Sequence, residues 1–333
     1  MRTRELLTLR NTGHPGVNAL FAKAHSAGWD IENDVDWTQS MASDDPLVHP
    51  DWNAFGQTPT FRSLPEAVQV RVTRRGLGRI LNILQVGESV AQDVCAKLAL
   101  LVREEDYRNH AVAQAMDEAR HHLAYCRLIE RMNEPVEEID VGTEMMFDSL
   151  LAANDPLELV ASEQFFLESF AMAIFESLVQ YARHPLLQRV VSLITRDESR
   201  HIGFGVLYVG EWMRQQPLET QIRFARRWLG QILGAVGDRP GPLMLSRLIE
   251  RLRDAGVTNP EALAPHLLQE QQEINAADDR AVLSGRRLPH LLKNARHAGL
   301  LKPEIVAALG LQNHPLVRVT LQQATADESA VVA

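Results

Sequence analysis

Apolar residues recur three and four positions apart from about residue 63 to about residue 216. This spacing is the period of an amphipathic α-helix. Alternation of polar and apolar residues, which would indicate half-buried strands, is not seen in the sequence. The chain is therefore predicted to be all-α. Residues 1–62 are rich in Pro, Gly, Asn, Asp and Trp and lack a sustained period, so they predict an irregular N-terminal arm.

Capping signals divide the periodic region into separate helices. Residues 63–66 read Ser-Leu-Pro-Glu, which combines an N-cap serine, a proline in the first turn and a glutamate three positions after the serine. This pattern predicts a helix start. Gly76 and Gly78 are expected to break or bend the first helix, because glycine is a poor helix former. Further helices are predicted over residues 77–102, 104–132, 154–183 and 185–215, with a short one after residue 142.

These elements suggest four parts of the chain. Residues 1–62 form the arm, and residues 63–237 are expected to form a helical bundle. Residues 238–320 are expected to pack on that bundle, with about three helices following Pro217. Residues 321–333 are predicted to be a disordered tail.

Charge and composition exclude several functions. The formal net charge is -9 and the basic residues are scattered, which argues against a nucleic-acid-binding face. Cys95 and Cys126 both lie in helical patterns, so neither a disulfide framework nor a cysteine zinc site is expected. The N-terminus lacks the apolar stretch of a secretory signal, and no apolar run is long enough to span a membrane. We expect a cytoplasmic protein.

Two copies of the motif Asp-Glu-x-Arg-His stand out in the helical region. They occupy residues 117–121 and 197–201. In each copy the Glu and the His are three positions apart, so they lie on one face of a helix, with a rise of about 4.5 Å between them. A carboxylate and an imidazole spaced in this way can reach the same metal ion. The alternative is a pair of salt-bridged surface helices.

Two further carboxylates, Glu88 and Glu163, lie in strongly apolar helical stretches. A buried carboxylate is costly unless it is protonated or meets a cation. Along the chain these acids and the two motifs alternate as single, pair, single, pair. One Glu from each of two helices and Glu-x-x-His from each of two others is the ligand set of di-iron and di-manganese bundles. The candidate metal ligands are Glu88, Glu118, His121, Glu163, Glu198 and His201.

Some of these assignments have rivals. Glu88 could instead pair with Arg79, and Glu168 competes with Glu163, with Glu176 a weaker candidate. Five residues turn an α-helix by about 140°, so Glu163 and Glu168 are not expected to share a face. Four carboxylates and two histidines suit iron or manganese better than zinc.

This constellation resembles the ferritin-like superfamily, and within it the relatives of the ribonucleotide reductase small subunit. These include ligand-binding oxidases, hydroxylase subunits of bacterial multicomponent monooxygenases and aminobenzoate-type N-oxygenases. Gly87-Glu88 is similar to the first ligand of the ligand-binding oxidases. Their third ligand, the following proline and the final Glu-x-x-His align without a gap onto Glu163, Pro185, Glu198 and His201.

The chain departs from these relatives at three places. Glu158 stands where the ligand-binding oxidases have a crosslinking tyrosine, and Ile194 stands where the N-oxygenases have a third histidine. The C-terminal tail has no aromatic residue, whereas reductase small subunits end in a tail that carries a tyrosine.

The resemblance implies a ferritin-like four-helix bundle with additional N- and C-terminal helices. It also implies an O2-activating di-iron oxidase or oxygenase, with a Mn/Fe pair as the alternative metal content. The expected partners are a small organic or fatty-acid-like substrate, an external electron donor and a second copy of the chain in a homodimer. The other functions considered are an iron-oxidising or storage protein, a radical-generating subunit and a metal-free interaction protein.

The resemblance also suggests roles for three residues near the ligands. Asp117 and Asp197 resemble acids that hydrogen-bond the histidine of the opposite motif, although each alone could lie on a solvated face. Tyr125 lies four residues after His121, on the same helix face. It is a candidate catalytic, redox-active tyrosine. The alternative is a core tyrosine whose hydroxyl hydrogen-bonds a ligand carboxylate.

Overall fold

The computed structural model describes residues 13–53, 55–136, 139–234, 242–277 and 288–322. Within these ranges the chain is helical and forms no β-strand beyond one isolated bridge between Val48 and Ala182. The helices are α1 (Pro15–Ser26), α2 (Pro59–Arg62), α3 (Glu66–Leu101), α4 (Glu105–Met132), α5 (Val141–Ala152), α6 (Pro156–Val160), α7 (Glu168–Tyr181), α8 (Pro185–Gln215), α9 (Leu218–Gly234), α10 (Pro242–Asp254), α11 (Pro260–Ala277), α12 (Leu288–His297) and α13 (Pro303–Ala308). A π-helix, Ala161–Leu167, joins α6 to α7.

Four long segments form the central bundle: α3, α4, the π-helix with α7, and α8. Helices α3 and α4 follow each other closely in the chain and pack along their lengths, and α7 packs on α8. Helix α4 also contacts α8, so the two pairs face each other. Helix α1 lies against α4 and α8, while α12 lies against α7 and α8. The predicted all-α fold, a four-helix bundle with additional helices at both ends, is confirmed.

Helix α3 runs without interruption for 36 residues. Of the break or bend predicted at Gly76 and Gly78, the break is therefore wrong. A Cβ on Gly76 would lie 3.1 Å from Arg251 Nη1, and one on Gly78 would lie 3.1 Å from Glu134 Cβ. The glycines let neighbouring segments approach the helix closely. This packing outweighs their weak helix propensity.

The start of α3 also differs from the prediction. Its N-cap position is Pro65, without a side-chain hydrogen bond, whereas Ser63 was expected to cap the helix. Ser63 instead occupies the C-cap of the short helix α2, and its hydroxyl donates to the carbonyl of Thr60. A hydroxyl that terminates one helix is not available to begin the next.

The N-terminal arm is more ordered than its composition suggested. It contains α1, whose N-cap His14 accepts a hydrogen bond from the Val17 amide. Val17 is the buried residue of this helix. Val17, Leu20, Phe21 and Ala24 do have helical spacing, but the pattern covers only about two turns and does not amount to a sustained period. Residues after α1 enter the bundle core, where they pack beside Tyr125 and Leu128; they are Trp29, Val35, Met41, Leu47 and Val48.

The region after residue 217 holds more helices than the three predicted. Helices α9 to α13 all lie there, and residues 315–322 are also helical. The first two residues of the predicted tail therefore continue a helix, and residues 323–333 lie outside the described ranges. No helix in the described parts is long and apolar enough to cross a membrane.

Candidate metal centre

Two groups of buried side chains lie at the centre of the bundle, each suited to hold one ion. In each group the ligand atoms lie within 4.8 Å of one another. The first group is Glu88, Glu118, His121 and Glu198, and the second is Glu118, Glu168, Glu198 and His201. Glu118 and Glu198 belong to both groups. Carboxylates with two oxygens each can bridge two neighbouring ions, so the arrangement is that of a dinuclear site.

His121 directs Nδ1 into the first group. This atom lies 3.1 Å from Glu198 Oε1, 3.2 Å from Glu118 Oε2 and 3.4 Å from Glu88 Oε2. Within the described part of the chain, Glu88 pairs with His121 rather than with Arg79, whose guanidinium lies 3.7 Å from Asp140 Oδ2.

His201 occupies the equivalent place in the second group. Its Nδ1 lies 3.1 Å from Glu118 Oε1, 3.3 Å from Glu198 Oε2 and 3.9 Å from Glu168 Oε1. The two imidazole rings are 6.0 Å apart between centroids. Each Glu-x-x-His pair therefore faces a separate position, and the two positions are adjacent.

Several carboxylate oxygens of these groups lack a hydrogen-bond partner among the described residues. Glu118 Oε2, Glu198 Oε1 and Glu168 Oε2 are buried and accept no hydrogen bond from the described residues. Burial, followed by the charge of Glu198, raises the pKa of Glu88 well above its usual range. Unpaired oxygens and crowded carboxylates of this kind are costly without a cation. The donor set fits two hard or borderline divalent ions such as iron or manganese.

The aspartate of each motif contacts the histidine of the other motif. Asp197 Oδ2 lies 3.2 Å from His121 Nε2, and Asp117 Oδ2 lies 3.2 Å from His201 Nε2. Both aspartates are buried, so the solvated-face alternative is wrong and the suggested hydrogen bonds are confirmed. With Nε2 donating to a carboxylate, Nδ1 of each ring is left to bind a metal.

The arginine of each motif joins both aspartates. Arg200 donates to Asp197 Oδ1 at 2.8 Å and to Asp117 Oδ2 at 2.9 Å. Arg120 donates to Asp117 and, at 3.1 Å, to Asp197 Oδ2. Although burial opposes ionisation, the hydrogen bond from His121 and the Arg200 guanidinium hold the pKa of Asp197 well below its usual range. Sequence reasoning left these arginines unassigned, although both copies of the motif contain one.

Trp29 of the arm adds a donor on one side only. Its Nε1 donates to Asp197 Oδ2 at 2.8 Å, and its ring stacks on His121 at a centroid distance of 6.4 Å. The Arg120 guanidinium lies 5.0 Å from the centre of the Trp29 ring. No sequence signal linked this residue to the motifs, because it lies in a stretch without periodicity.

The model of the p-aminobenzoate N-oxygenase AurF family matches residues 16–240, about two thirds of the 333 residues. This chain belongs to that family. Its members are di-iron N-oxygenases, so the predicted class of non-haem di-iron oxidase or oxygenase is confirmed, and the buried carboxylate and histidine groups suit the metal ions expected. Ile194, which stands where the N-oxygenases have a third histidine, is fully buried among apolar side chains and offers no ligand.

Solved structures similar to this member of the AurF family include two structures of one mutant of an R2-like ligand-binding oxidase. One carries an aerobically reconstituted Mn/Fe cofactor and is 13% identical, with a TM-score of 0.46. The other carries an anaerobically reconstituted Mn/Fe cofactor and is also 13% identical, with a TM-score of 0.45. Each similarity covers 80% of this chain and 94% of the other. No match is found among curated proteins.

The segment that carries Glu163 and Glu168 differs from the α-helix assumed in the sequence analysis. It is a π-helix, and the Glu168 amide donates to the Glu163 carbonyl five residues earlier. This bond brings the two residues to one face, so the expectation that they point apart is wrong. Both side chains are buried. Glu168 belongs to the second group, whereas Glu163 belongs to neither.

The charges of the two groups nevertheless influence the pKa of Glu163. Burial, followed by the charges of Glu118 and Glu198, raises the pKa of Glu163 to about 8. Its Oε2 atom is buried without a hydrogen-bond partner among the described residues. Its role as a ligand remains a prediction. Glu176, the weaker rival, pairs with His290 at 2.8 Å and is exposed.

Two buried glutamines lie beside the second group and were missed from the sequence. Gln114 Nε2 donates to Glu118 Oε1 at 2.9 Å and to Glu168 Oε1 at 2.6 Å. Gln164 Nε2 contacts Gln114 Oε1 and Cys95 Sγ, each at 3.4 Å. A buried glutamine in a helix has no distinctive spacing, so only its surroundings identify it.

Tyr125 is fully buried, and its hydroxyl has no hydrogen-bond partner among the described residues. The predicted alternative, a hydrogen bond to a ligand carboxylate, is therefore not found. Burial, followed by the charge of Glu88, raises the pKa of Tyr125 well above its usual range. His122, the neighbour of His121, places its Nδ1 atom 2.9 Å from the Gln85 carbonyl oxygen.

Proposed function

We propose that this protein uses a pair of iron ions and O2 to oxidise a small organic molecule, with an aromatic amine as the first candidate substrate. The observation that carries the proposal is the overlap of two buried ligand groups through Glu118 and Glu198. The family match favours an amine, because the family is described as a p-aminobenzoate N-oxygenase. When bound, the iron pair would supply electrons to O2 and carry out the oxidation.

Each ion would take one histidine and one carboxylate of its own. His121 and Glu88 would hold the first ion, and His201 with an acid of the π-helix would hold the second. The geometry favours Glu168 for that acid, while the sequence-based candidate is Glu163. Glu118 and Glu198 would be shared. The two aspartates would orient the imidazoles, and the surrounding apolar core would exclude water.

Metal analysis tests the centre directly. After anaerobic reconstitution and removal of free metal, the protein should hold about two iron ions per chain. His121→Ala should lose one of them, whereas His122→Ala, on the neighbouring residue, should retain both. A reproducible value near one or near zero in the wild type would exclude a dinuclear centre. A Mn/Fe pair would appear in the same measurement as equal amounts of the two metals.

Product analysis tests the substrate class. The iron-loaded enzyme would be supplied with a chemical reductant, isotope-labelled O2 and a panel containing 4-aminobenzoate, other arylamines and a medium-chain fatty acid. An oxygenated arylamine carrying labelled oxygen is the expected product. If the labelled oxygen appears in the fatty acid and no arylamine product forms, a fatty acid replaces the amine as the proposed substrate. Oxidation of Fe²⁺ alone, with mineral formation and no organic product, would favour an iron-storage protein instead.

We also propose a redox role for Tyr125. Its buried hydroxyl has no partner among the described residues, and a buried polar group of this kind calls for an explanation. Freeze-quench electron paramagnetic resonance after O2 exposure should show a transient tyrosyl signal that Tyr125→Phe abolishes. If O2 is consumed normally and the wild type gives no such signal, Tyr125 is a core residue only.

We also propose that the protein is cytoplasmic and receives electrons from an external donor. We further propose that it forms a homodimer. Three exposed apolar side chains of α4, Val112, Met116 and Leu123, are spaced along one outer stripe of that helix. A stripe of this kind fits a contact with a second copy. Light scattering should give the mass of two chains, and Met116→Glu should shift it towards one. A monomeric wild type would remove the dimer.

A further inference from the structure

The π-helix presents two acids where the second ion position needs one. The Glu168 amide donates to the Glu163 carbonyl, which stacks the two residues on one face. Both side chains are buried, 5% and 6% exposed. Glu163 Oε2 and Glu168 Oε2 are each without a hydrogen-bond partner among the described residues. Backbone geometry alone therefore does not distinguish them.

Gln114 distinguishes them. It lies one turn before Glu118 on α4, and its Nε2 donates to Glu118 Oε1 at 2.9 Å and to Glu168 Oε1 at 2.6 Å. One amide thus ties Glu118, the carboxylate shared by the two groups, to Glu168. The tie uses one oxygen of Glu168 and leaves the other, Oε2, unpaired.

The orientation of this amide is itself determined by its surroundings. Gln114 Oε1 accepts from Gln164 Nε2 at 3.4 Å, so the amino end of Gln114 faces the carboxylates. Gln164 lies on the π-helix between the two acids. Helix α8 approaches the backbone there because residue 205 is glycine; a Cβ on Gly205 would lie 2.8 Å from the Gln164 carbonyl carbon.

We propose that Gln114 is a positioning residue that selects Glu168, rather than Glu163, as the carboxylate of the second ion position. The inference rests on the proposed dinuclear centre and deepens it. Gln114 holds Glu168 beside His201 and Glu118 before metal enters, so less ordering remains to be done on binding. Glu163, without this tie, takes the position only when Gln114 or Glu168 is changed.

Cobalt binding tests the selection without enzymatic turnover. Metal-free protein would be titrated anaerobically with Co²⁺, and the visible ligand-field absorption would report each site. The wild type should bind two ions. Glu168→Gln should weaken the second site by about tenfold to a hundredfold, and Gln114→Met should weaken it by about tenfold, which is the scale for residues that orient ligands. The first site should be unaffected, as should both sites in Glu163→Gln.

A double-mutant cycle separates selection from general loosening. In the Gln114→Met background, Glu163→Gln should weaken binding at the second site further, because Glu163 now contributes to holding the ion. Gln164→Met, which frees the acceptor end of Gln114, should act in the same direction with a smaller effect. Gln221→Leu is the matched control, because this buried glutamine donates to the Gln216 carbonyl away from the centre.

The outcomes distinguish the inference from the proposed function. A wild type that binds no Co²⁺ would remove both. Two bound ions with the second lost in Glu163→Gln, and kept in Glu168→Gln, would overturn the selection and leave the dinuclear centre intact. If circular dichroism shows that Gln114→Met does not fold, Gln164→Met and the two glutamate variants decide the same question. An unchanged second site in both glutamine variants would remove the role of Gln114.

Discussion

The two halves of the candidate centre have the same motif and different surroundings. His121 and His201 each follow a glutamate by three residues, and each donates to the aspartate of the other motif. On the His121 side, Trp29 of the arm packs over the ring. On the His201 side, the π-helix contributes acids and Gln114 ties one of them. Identical local sequence thus yields matched chelating pairs, while the residues packed around them make the two positions inequivalent.

The aspartates show the same contrast at the level of single hydrogen bonds. Both accept from two arginines and one histidine. Asp197 Oδ2 accepts in addition from Trp29 Nε1 at 2.8 Å. An extra donor on a carboxylate oxygen weakens that oxygen as an acceptor for the imidazole. The arm therefore gives the first ion position an environment that the second does not have.

The largest expected effect is the loss of bound metal, which should differ between a ligand shared by both ions and a ligand of one ion. Glu118→Ala should abolish binding of both ions, because its oxygens face both imidazoles. His201→Ala should reduce the metal content from about two to about one ion per chain. Elemental analysis of the reconstituted variants makes the comparison. Equal losses in the two variants would show that the positions do not fill independently.

Removal of an aspartate charge should have the next largest effect. In the metal-free protein, Asp197→Asn should lower the free energy of unfolding by about 3 kcal/mol, because it removes one of the two carboxylates that balance the charges of Arg120 and Arg200. Asp117→Asn should cost about 1 kcal/mol less, since that carboxylate lacks the additional donor. Urea unfolding monitored by circular dichroism gives both values. A larger loss in Asp117→Asn would reverse the contrast.

Stability of the metal-free protein should fall as the pH rises. The pKa of Glu163 is about 8 in the folded chain and 4.5 as its ordinary value. The folded state therefore keeps a proton that the unfolded state releases, so this contribution is present below about pH 4.5 and is lost as the pH rises through about 8. Urea unfolding at about pH 5 and about pH 8 should differ by a few kcal/mol.

Glu163→Gln should reduce this pH dependence, because glutamine carries no titrating proton. Glu176→Gln, on the exposed side of the same region, is the control and should leave the dependence as in the wild type. Equal stability of the wild type at both pH values would contradict the burial of an ionisable acid at this place.

A smaller effect concerns the arm. Trp29→Phe should cost about 2 kcal/mol in the metal-free protein, because the lost hydrogen bond is buried and ends on a charge. Trp37→Phe should cost about 1 kcal/mol, since Trp37 Nε1 donates to the neutral carbonyl of Ile31. The same urea experiment compares them. If the two variants were equally stable, the Trp29 contact to Asp197 would be no stronger than an ordinary one.

The smallest effect is expected at Tyr125. Its hydroxyl is buried and lacks a partner among the described residues. Tyr125→Phe should therefore leave the metal-free protein unchanged or stabilise it by about 1 kcal/mol. A loss of more than about 1 kcal/mol in thermal or urea unfolding would mean that the hydroxyl has a partner such as a buried water.

Helix periodicity accounts for most of what was predictable. The start of α8 at Pro185 and its end at Gln215, together with α4, agree with the sequence to within one residue. The reciprocal roles of Asp117 and Asp197 came from the resemblance to known families and are confirmed. The failures are equally instructive. Gly76 was treated as a local helix breaker, whereas its close neighbour, Arg251, is distant in sequence.

The sequence by itself determined the all-α class and the pairing of each glutamate with its histidine, because helical hydrogen bonds repeat over three to four residues and act locally. Only the tertiary structure decided which side chains surround those pairs. Trp29 meets Asp197 across 168 positions, and Gln114 meets Glu168 across 54. The tertiary structure also decided that residues 161–167 form a π-helix. The wider turn of a π-helix is stabilised by packing rather than by local propensity. Contacts between distant segments depend on the whole packed bundle, and no local pattern encodes them.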